Sequence, residues 1–186
     1  MNTNEYSFEI VKELGKTLSN ILPGQAEELI DKILGSKKIF VAGAGRSGFM
    51  VKAFAMRMMH LGFDAYVTGE TITPNIEMED ILIIGSGSGE TGSLVSMANK
   101  AKKIGSKIAL VTIFPQSSIG LISDVVIKIP APTPKVDINT GFKSIQPMGS
   151  LFEQSLLLFL DSIVLRLMGR MDNNSATMFT KHANLE

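Results

Sequence analysis

A stretch of alternating glycine and hydroxyl residues is the first sign of chemistry. Residues 86–91 read Ser-Gly-Ser-Gly-Glu-Thr and directly follow an apolar run that ends at Gly85. Glycines let the backbone turn tightly so that its N–H groups point at an anion, and the start of a following helix adds positive potential. The alternative is a flexible turn in which Thr91 or Ser93 caps the next helix. We favour a phosphate-binding loop, which consists of Ser86, Gly87, Ser88, Gly89, Glu90 and Thr91.

An earlier glycine-rich loop has the spacing G-x-G-x-x-G. Residues 43–48 read Gly-Ala-Gly-Arg-Ser-Gly and lie between an apolar run and a helical pattern. Glu70 follows roughly 20 residues later, where a dinucleotide-binding fold has its ribose-binding acid. A loop that only approaches a pyrophosphate with its backbone has little use for Arg46 and Ser47. We therefore assign Gly45, Arg46 and Ser47 to the substrate and keep an NAD-linked oxidoreductase as the alternative.

Glu153 and His182 are the candidates for proton transfer. Glu153 lies at the start of an apolar helical segment, which would partly desolvate its carboxylate, while the positive helix end would stabilise the charge. The spacing from Ser150 to Glu153 equally fits a capping box, so the residues alone leave both interpretations open. His182 is a candidate proton donor in its own or a neighbouring subunit's site, and an exposed tail histidine is the alternative. Glu70 and Glu90 are candidates for contacts with sugar hydroxyls, with a solvated role as the alternative.

Alternating strands and helices must position these residues. Apolar runs predict strands at 38–42, 65–68, 81–84, 107–112 and 125–129, and helical periodicity predicts helices at 5–20, 26–34, 49–61, 94–104 and 150–168. The expected fold is therefore α/β, a three-layer αβα sandwich around a five-stranded parallel sheet. We expect a single domain over 1–186, with N-terminal helices at 1–35, the sheet core at 36–130, a loop at 131–149, and a C-terminal helix and tail at 150–186. Both glycine-rich loops then follow the carboxyl ends of strands, where open α/β sheets bind ligands.

The composition argues against several classes of protein. The chain has 186 residues, 18 Lys and Arg against 18 Asp and Glu, two His and no Cys. A net charge of zero argues against a nucleic-acid partner, and so few His and Cys argue against a metal site. Residues 155–168, the most apolar segment, are too short to span a bilayer, and the N-terminus lacks signal-peptide features, so we expect no membrane association and a cytoplasmic location. A mean hydropathy of +0.22 and eleven Met indicate an oligomer.

Four motifs together resemble the sugar isomerase (SIS) domain family and, within it, the hexulose phosphate isomerases. These motifs are the two glycine-rich loops, residues 146–154 and residues 178–186, and the resemblance runs over nearly the whole chain. It implies the SIS fold, which is flavodoxin- or Rossmann-like, in a homotetramer that works without a cofactor. The implied reaction converts D-arabino-hex-3-ulose 6-phosphate to D-fructose 6-phosphate through a cis-enediol, in the ribulose monophosphate pathway of formaldehyde fixation.

The resemblance also favours one interpretation of Glu153. The family's proposed base occupies the motif at residues 146–154, so Glu153 is expected to be the catalytic base. No family role is transferred to residues 131–143, which match no motif. Another sugar-phosphate aldose–ketose isomerase, or a sugar-phosphate-binding SIS protein without activity, remains the alternative. SIS regulators usually carry a DNA-binding domain, and no helix-turn-helix segment fits this sequence.

Overall fold

Five parallel strands form the centre of the computed structural model, which describes residues 1–133 and 143–185. The sheet order is β2-β1-β3-β4-β5, with β1 at Lys38–Gly43, β2 at Asp64–Val67, β3 at Ile81–Gly85, β4 at Lys107–Thr112 and β5 at Val125–Lys128. The chain goes from β1 outward to β2 and then returns to β3 on the other side of β1. The carboxyl ends of β1 and β3 therefore flank the crevice in which open α/β sheets bind ligands.

Helices cover both faces of the sheet. The helices are α1 Thr3–Leu18, α2 Pro23–Leu34, α3 Gly45–His60, α4 Gly92–Ile104, α5 Ser150–Arg170 and α6 Ser175–Phe179, with a 3-10 turn at Gly120–Ile122. Because side chains alternate along a strand, Ile39 and Val41 of β1 pack into a core with α2, α3 and α5. Phe40 and Ala42 face the opposite way, into a smaller core with α4. The predicted α/β sandwich with a five-stranded parallel sheet is confirmed.

Two helix starts and one helix differ from the expectation. Helix α2 begins at Pro23 instead of at residue 26, because a proline at the first helical position sacrifices no hydrogen bond. Helix α3 begins inside the first glycine-rich loop, at Gly45, instead of at residue 49. The short helix α6 was not predicted, because five residues are too few to show helical periodicity.

The first helix turns an apolar side outward. Phe8 and Val11 are 74% and 65% exposed, although the periodicity of α1 predicts an amphipathic helix with an apolar buried face. The residues of α1 that are buried instead are the polar Glu13 and Thr17. Helix α1 packs on α5, and this packing rather than residue type decides which side faces inward.

Two further expectations concern particular segments. In the described ranges, no helix is long and apolar enough to cross a membrane. The predicted loop at 131–149 is described at its two ends, and the part of that prediction at residues 134–142 lies outside the described residues.

Candidate active site

The starts of three helices surround one cavity of about 480 Å³. Helix α3 contributes Gly45 to it, α4 its N-cap residue Thr91, and α5 its N-cap residue Gly149. No described side chain caps these three helices, whereas Asn2 and Asn174 cap α1 and α6 with hydrogen bonds. The N–H group of Ser150, the first residue of α5, donates to the Pro147 carbonyl oxygen at 3.2 Å. At the other first-turn N–H groups of α3, α4 and α5, no side-chain cap competes with an anion bound in the cavity.

The loop after β3 is held in shape by its own and neighbouring backbone. The carbonyl oxygen of Gly87 accepts a hydrogen bond from Ile113 N at 3.1 Å, and Ser86 Oγ accepts one from Gly89 N at 3.1 Å. Gly89 has φ at 63°, and a Cβ there would collide with the Ser117 side chain, so only glycine fits. The loop is therefore pre-shaped for a ligand, which lowers the entropic cost of binding.

Four of the six residues predicted in this loop line the cavity: Ser86, Gly87, Ser88 and Thr91. Gly89 lies behind them and shapes the turn. Glu90 does not line the cavity, because its Oε1 accepts a hydrogen bond from Ser118 N at 2.6 Å. The Ser118 side chain and, to a smaller extent, its backbone N–H lower the pKa of the Glu90 carboxyl below its ordinary value by hydrogen bonding. Thr91 is the N-cap residue of α4, but its side chain makes no capping bond, so the alternative of a hydroxyl cap by Thr91 is wrong.

The first glycine-rich loop joins β1 to α3 at very close range. A Cβ on Gly48 would lie 2.9 Å from the carbonyl oxygen of Gly43, so both glycines serve close packing of strand and helix. The three residues assigned to the substrate all line the cavity: Gly45, Arg46 and Ser47. Glu70 does not line it and lies 3.3 Å from Lys52 Nζ in an exposed ion pair.

Glu153 lies in the cavity as the partner of Arg46. Arg46 Nε is 2.8 Å from Glu153 Oε2, and the Glu153 side chain is only 18% exposed. The capping-box interpretation is wrong: the N-cap residue of α5 is Gly149, Ser150 is the first helical residue, and no side-chain capping bond forms. Among the described residues that line the cavity, Glu153 is the single carboxylate and Arg46 the single lysine or arginine.

Part of the cavity wall is apolar and was not predicted from the sequence. Ile113 and Phe114 follow the end of β4, and Phe152 comes from the first turn of α5. The signal that could have located the first two is the position of β4 beside β3, because the carboxyl ends of neighbouring parallel strands open on the same edge. An apolar wall excludes water from a reacting carbon and strengthens the electrostatic interactions around it.

His182 lies away from this cavity within one chain. Its ring stacks on His60, with ring centroids 5.6 Å apart, and His60 is the last residue of α3. Arg46 lies in the first turn of the same helix, and a rise of about 1.5 Å per residue places it roughly 20 Å from His60 along the helix axis. A second cavity of about 500 Å³ lies beside His182, lined by Arg57 and Asp161 among others. The structure therefore does not bring His182 to Glu153 in the same chain, and its catalytic role stays a prediction.

The buried His60 makes the stability of the protein depend on pH. Burial, Arg57 and His182 lower the pKa of His60 below its ordinary value. The unfolded chain therefore binds a proton here at a higher pH than the folded chain does, so the free energy of unfolding falls as the pH drops below about 6.5. We expect thermal melts to give a lower Tm at about pH 5.5 than at about pH 7.5. Carboxyl groups with lowered pKa values, such as those of Glu13 and Glu27, act below about pH 4.5 and do not contribute in this window.

The matched variant for this test is His60→Gln, which keeps a polar side chain and removes the titrating ring. We expect it to flatten the dependence of Tm on pH. An unchanged slope would show that His60 is not the group responsible.

Comparison with known proteins assigns the chain to a family. Residues 32–158 match the family model described as "SIS domain", and the chain belongs to the SIS domain family.

The described residues contain no group of three or more His, Cys, Asp or Glu that could hold a metal ion.

Several relatives within the family share one name. The chain is 53% identical to a protein of Bacillus subtilis (strain 168) named 3-hexulose-6-phosphate isomerase, over the whole of both chains. It is 39% identical to a protein of Mycobacterium gastri with the same name, over 99% of this chain and 91% of that one. A crystal structure from Methanococcus jannaschii, from which a molecular function of 3-hexulose-6-phosphate isomerase was inferred, superposes with a TM-score of 0.81 at 36% identity, over 97% and 96% of the two chains.

Proposed function

We propose that the chain is an isomerase that interconverts D-arabino-hex-3-ulose 6-phosphate and D-fructose 6-phosphate. The observation that carries the proposal is that one carboxylate, Glu153, shares a cavity with three uncapped helix starts. Moving a carbonyl along a sugar needs one group that carries a proton between neighbouring carbons, and donors that bind phosphate and stabilise an oxyanion. The names of the relatives support this choice of substrate.

The phosphate group binds at the loop after β3. Ser86, Ser88 and Thr91 supply hydroxyl donors, and the start of α4 supplies backbone N–H groups and the positive end of its dipole. This set of donors holds a phosphate without a lysine in the lining. The sugar then extends toward Arg46, Ser47 and the start of α5.

Glu153 carries the proton between C2 and C3. Its carboxylate removes the proton from C2, the released electron pair forms the C2=C3 double bond, and the C3 carbonyl oxygen takes up a proton. The cis-enediol then loses the proton of its O2 hydroxyl, the carbonyl forms at C2, and Glu153 returns its proton to C3. The proton that O2 releases replaces the one that O3 takes up, and the C2 proton returns at C3, so atoms and electrons balance within the sugar. Arg46 and the start of α5 stabilise the negative charge that develops on the oxygens.

A coupled assay tests the reaction directly. Hexulose 6-phosphate is made from formaldehyde and ribulose 5-phosphate, the first step of the ribulose monophosphate route in which we place the enzyme, and fructose 6-phosphate is measured. We expect catalytic formation of fructose 6-phosphate. Tight binding of the hexulose phosphate without turnover would indicate a sugar-phosphate-binding protein without activity. Faster turnover of aldose phosphates would indicate another isomerase of the family.

We further propose that each chain is one domain of a homotetramer whose sites are shared between subunits. Large apolar side chains remain exposed on four helices: Phe49 and Met56 on α3, Leu158 and Leu165 on α5, Phe8 and Val11 on α1, and Phe179 on α6. Exposed apolar surface of this extent favours association between copies. In such an assembly His182 serves the site of a neighbouring subunit, since its own site is at the other end of α3.

Mixing two inactive variants tests whether sites are shared. We expect Glu153→Gln and His182→Asn each to lose activity alone. When they assemble together, every mixed pair contains one site with Glu153 from one subunit and His182 from the other, so activity should return. The measurement is turnover after co-expression with two different affinity tags. Equal inactivity of the mixed and unmixed assemblies would contradict shared sites, and a monomer in size-exclusion chromatography would contradict the oligomer.

A further inference from the structure

Glu13 of α1 is a buried carboxylate that takes no part in the chemistry proposed above. Glu13 is only 7% exposed. Acidic side chains are almost never this buried unless they are paired. Leaving a buried charge without partners would cost several kcal/mol, so its partners indicate what the residue does.

All three partners of Glu13 come from one short segment far away in sequence. Oε2 accepts hydrogen bonds from Ser144 Oγ at 2.7 Å and from Gln146 Nε2 at 3.0 Å, and Oε1 accepts one from the Ile145 backbone N–H at 2.8 Å. These donors are neutral, so the contact is a set of charge-assisted hydrogen bonds and not an ion pair. Burial raises the pKa of Glu13, but the hydrogen bonds from Gln146, Ser144 and Ile145 outweigh it and lower the pKa below its ordinary value.

The segment held by Glu13 leads directly into the candidate active site. Pro147, Met148 and Gly149 follow it, and all three line the cavity. Met148 has φ at 54°, a conformation that an L residue adopts at a cost and that its surroundings must maintain. The carbonyl oxygen of Gly149 accepts the hydrogen bond of Glu153 N at 3.0 Å. The path of this segment therefore sets where α5 begins and where the Glu153 carboxylate lies.

We propose that Glu13 is a positioning residue for the isomerase reaction: by holding residues 144–146 it fixes the start of α5, and with it Glu153, at the distance from the substrate that proton transfer requires. This role rests on the proposed function. It gives the first helix, none of whose residues line the cavity, a part in catalysis, because the hydrogen bonds of Glu13 tie α1 to the segment that leads into the site.

The test begins with Glu13→Gln, which keeps the size of the side chain. The new amide has one acceptor oxygen where the carboxylate had two. Its NH2 group faces the NH2 group of Gln146 in one orientation and the Ile145 N–H in the other, so at least one hydrogen bond is lost. A displacement of about 1 Å in a reacting group costs up to about 100-fold in rate, so we expect kcat to fall by about 10- to 100-fold. KM should stay nearly unchanged, because the phosphate loop after β3 does not contact Glu13.

Two matched variants separate positioning from general damage to the fold. Adding Gln146→Glu to Glu13→Gln exchanges donor and acceptor across the same pair and keeps the net charge, and we expect it to restore most of kcat. Thr17→Val changes another buried residue of α1, whose hydroxyl has no partner among the described residues, so kcat should not change. If Glu13→Gln only destabilised the fold, its Tm would fall, and adding Gln146→Glu would not restore kcat.

Hydrogen exchange separates failure of this role from failure of the proposed function. In Glu13→Gln we expect faster hydrogen exchange at the backbone amides of residues 144–153. In the double variant Glu13→Gln, Gln146→Glu we expect hydrogen exchange to be slow again, whether or not the protein turns over hexulose phosphate. An inactive wild-type protein would end the isomerase proposal and leave the exchange pattern to decide whether Glu13 holds the segment. If the wild-type protein is active, two results would overturn the positioning role: an unchanged kcat in Glu13→Gln, or no recovery of kcat in the double variant Glu13→Gln, Gln146→Glu.

Discussion

Glu153→Gln is expected to reduce kcat by about 10²- to 10⁴-fold, the range that one general base contributes, with little change in the affinity for the sugar phosphate. The amide has the size of the carboxylate and its oxygen still accepts the hydrogen bond from Arg46 Nε, so the cavity keeps its shape. It cannot take a proton from C2 or return one to C3. Because we propose that the phosphate binds at the loop after β3, away from Glu153, binding should survive the change.

Turnover, calorimetry and isotope exchange together give a sharp measurement. In D2O the wild-type enzyme should incorporate solvent deuterium at the substrate carbons that exchange a proton, and Glu153→Gln should not. Calorimetry should show similar binding of the sugar phosphate to both proteins. Glu9→Gln is the matched control, because it makes the same chemical change at a carboxylate of α1 that pairs with Lys12 and lines neither cavity. Unaltered activity in Glu153→Gln would refute its assignment as the base.

The parts of the fold that the sequence predicted are those governed by local pattern. Strands β3 and β4 are continuous apolar runs buried on both faces, so composition alone locates them. The loop after β3 could be located for a similar reason, because its alternation of glycines and hydroxyl residues is a local pattern that directly follows a strand. Its binding of phosphate stays a prediction. Within this loop only Gly89 and Glu90 do not line the cavity. Their positions depend on Ser117 and Ser118, which belong to a turn distant in sequence.

The contacts that depend on tertiary packing were not predictable from local pattern. Arg46 and Glu153 were each singled out, but their ion pair forms only because α3 and α5 pack side by side on the same face of the sheet. His182 carries a recognisable motif, yet the tail that holds it returns to the far end of α3. Glu13 shows no signal at all, because a charged residue in an amphipathic helix is normally solvated, and its burial follows from the docking of α1 on α5.

Arg46→Ala is expected to lower kcat/KM by about 10²- to 10³-fold, the effect of removing one donor from a developing oxyanion. Arg46 is the single lysine or arginine among the described residues that line the cavity, and its Nε lies 2.8 Å from the carboxylate that carries the proton. In the free protein it therefore pairs with Glu153. When the substrate enters, the guanidinium has further N–H groups with which to bind the sugar oxygens while it keeps Glu153 in place.

The division of the Arg46→Ala effect between kcat and KM identifies what the side chain binds. A lower kcat at unchanged KM would assign Arg46 to the enediolate, because only the transition state would lose an interaction, whereas a higher KM at unchanged kcat would assign it to the bound sugar phosphate. Arg46→Lys keeps the charge but loses the planar fork, so its rate should lie between wild type and Arg46→Ala. Lys52→Ala is the matched control, since it removes a cation of the same helix that pairs with Glu70 outside the cavity, and its kinetics should equal those of the wild type. Equal losses in Lys52→Ala and Arg46→Ala would mean that the overall charge of α3 matters, rather than a contact in the site.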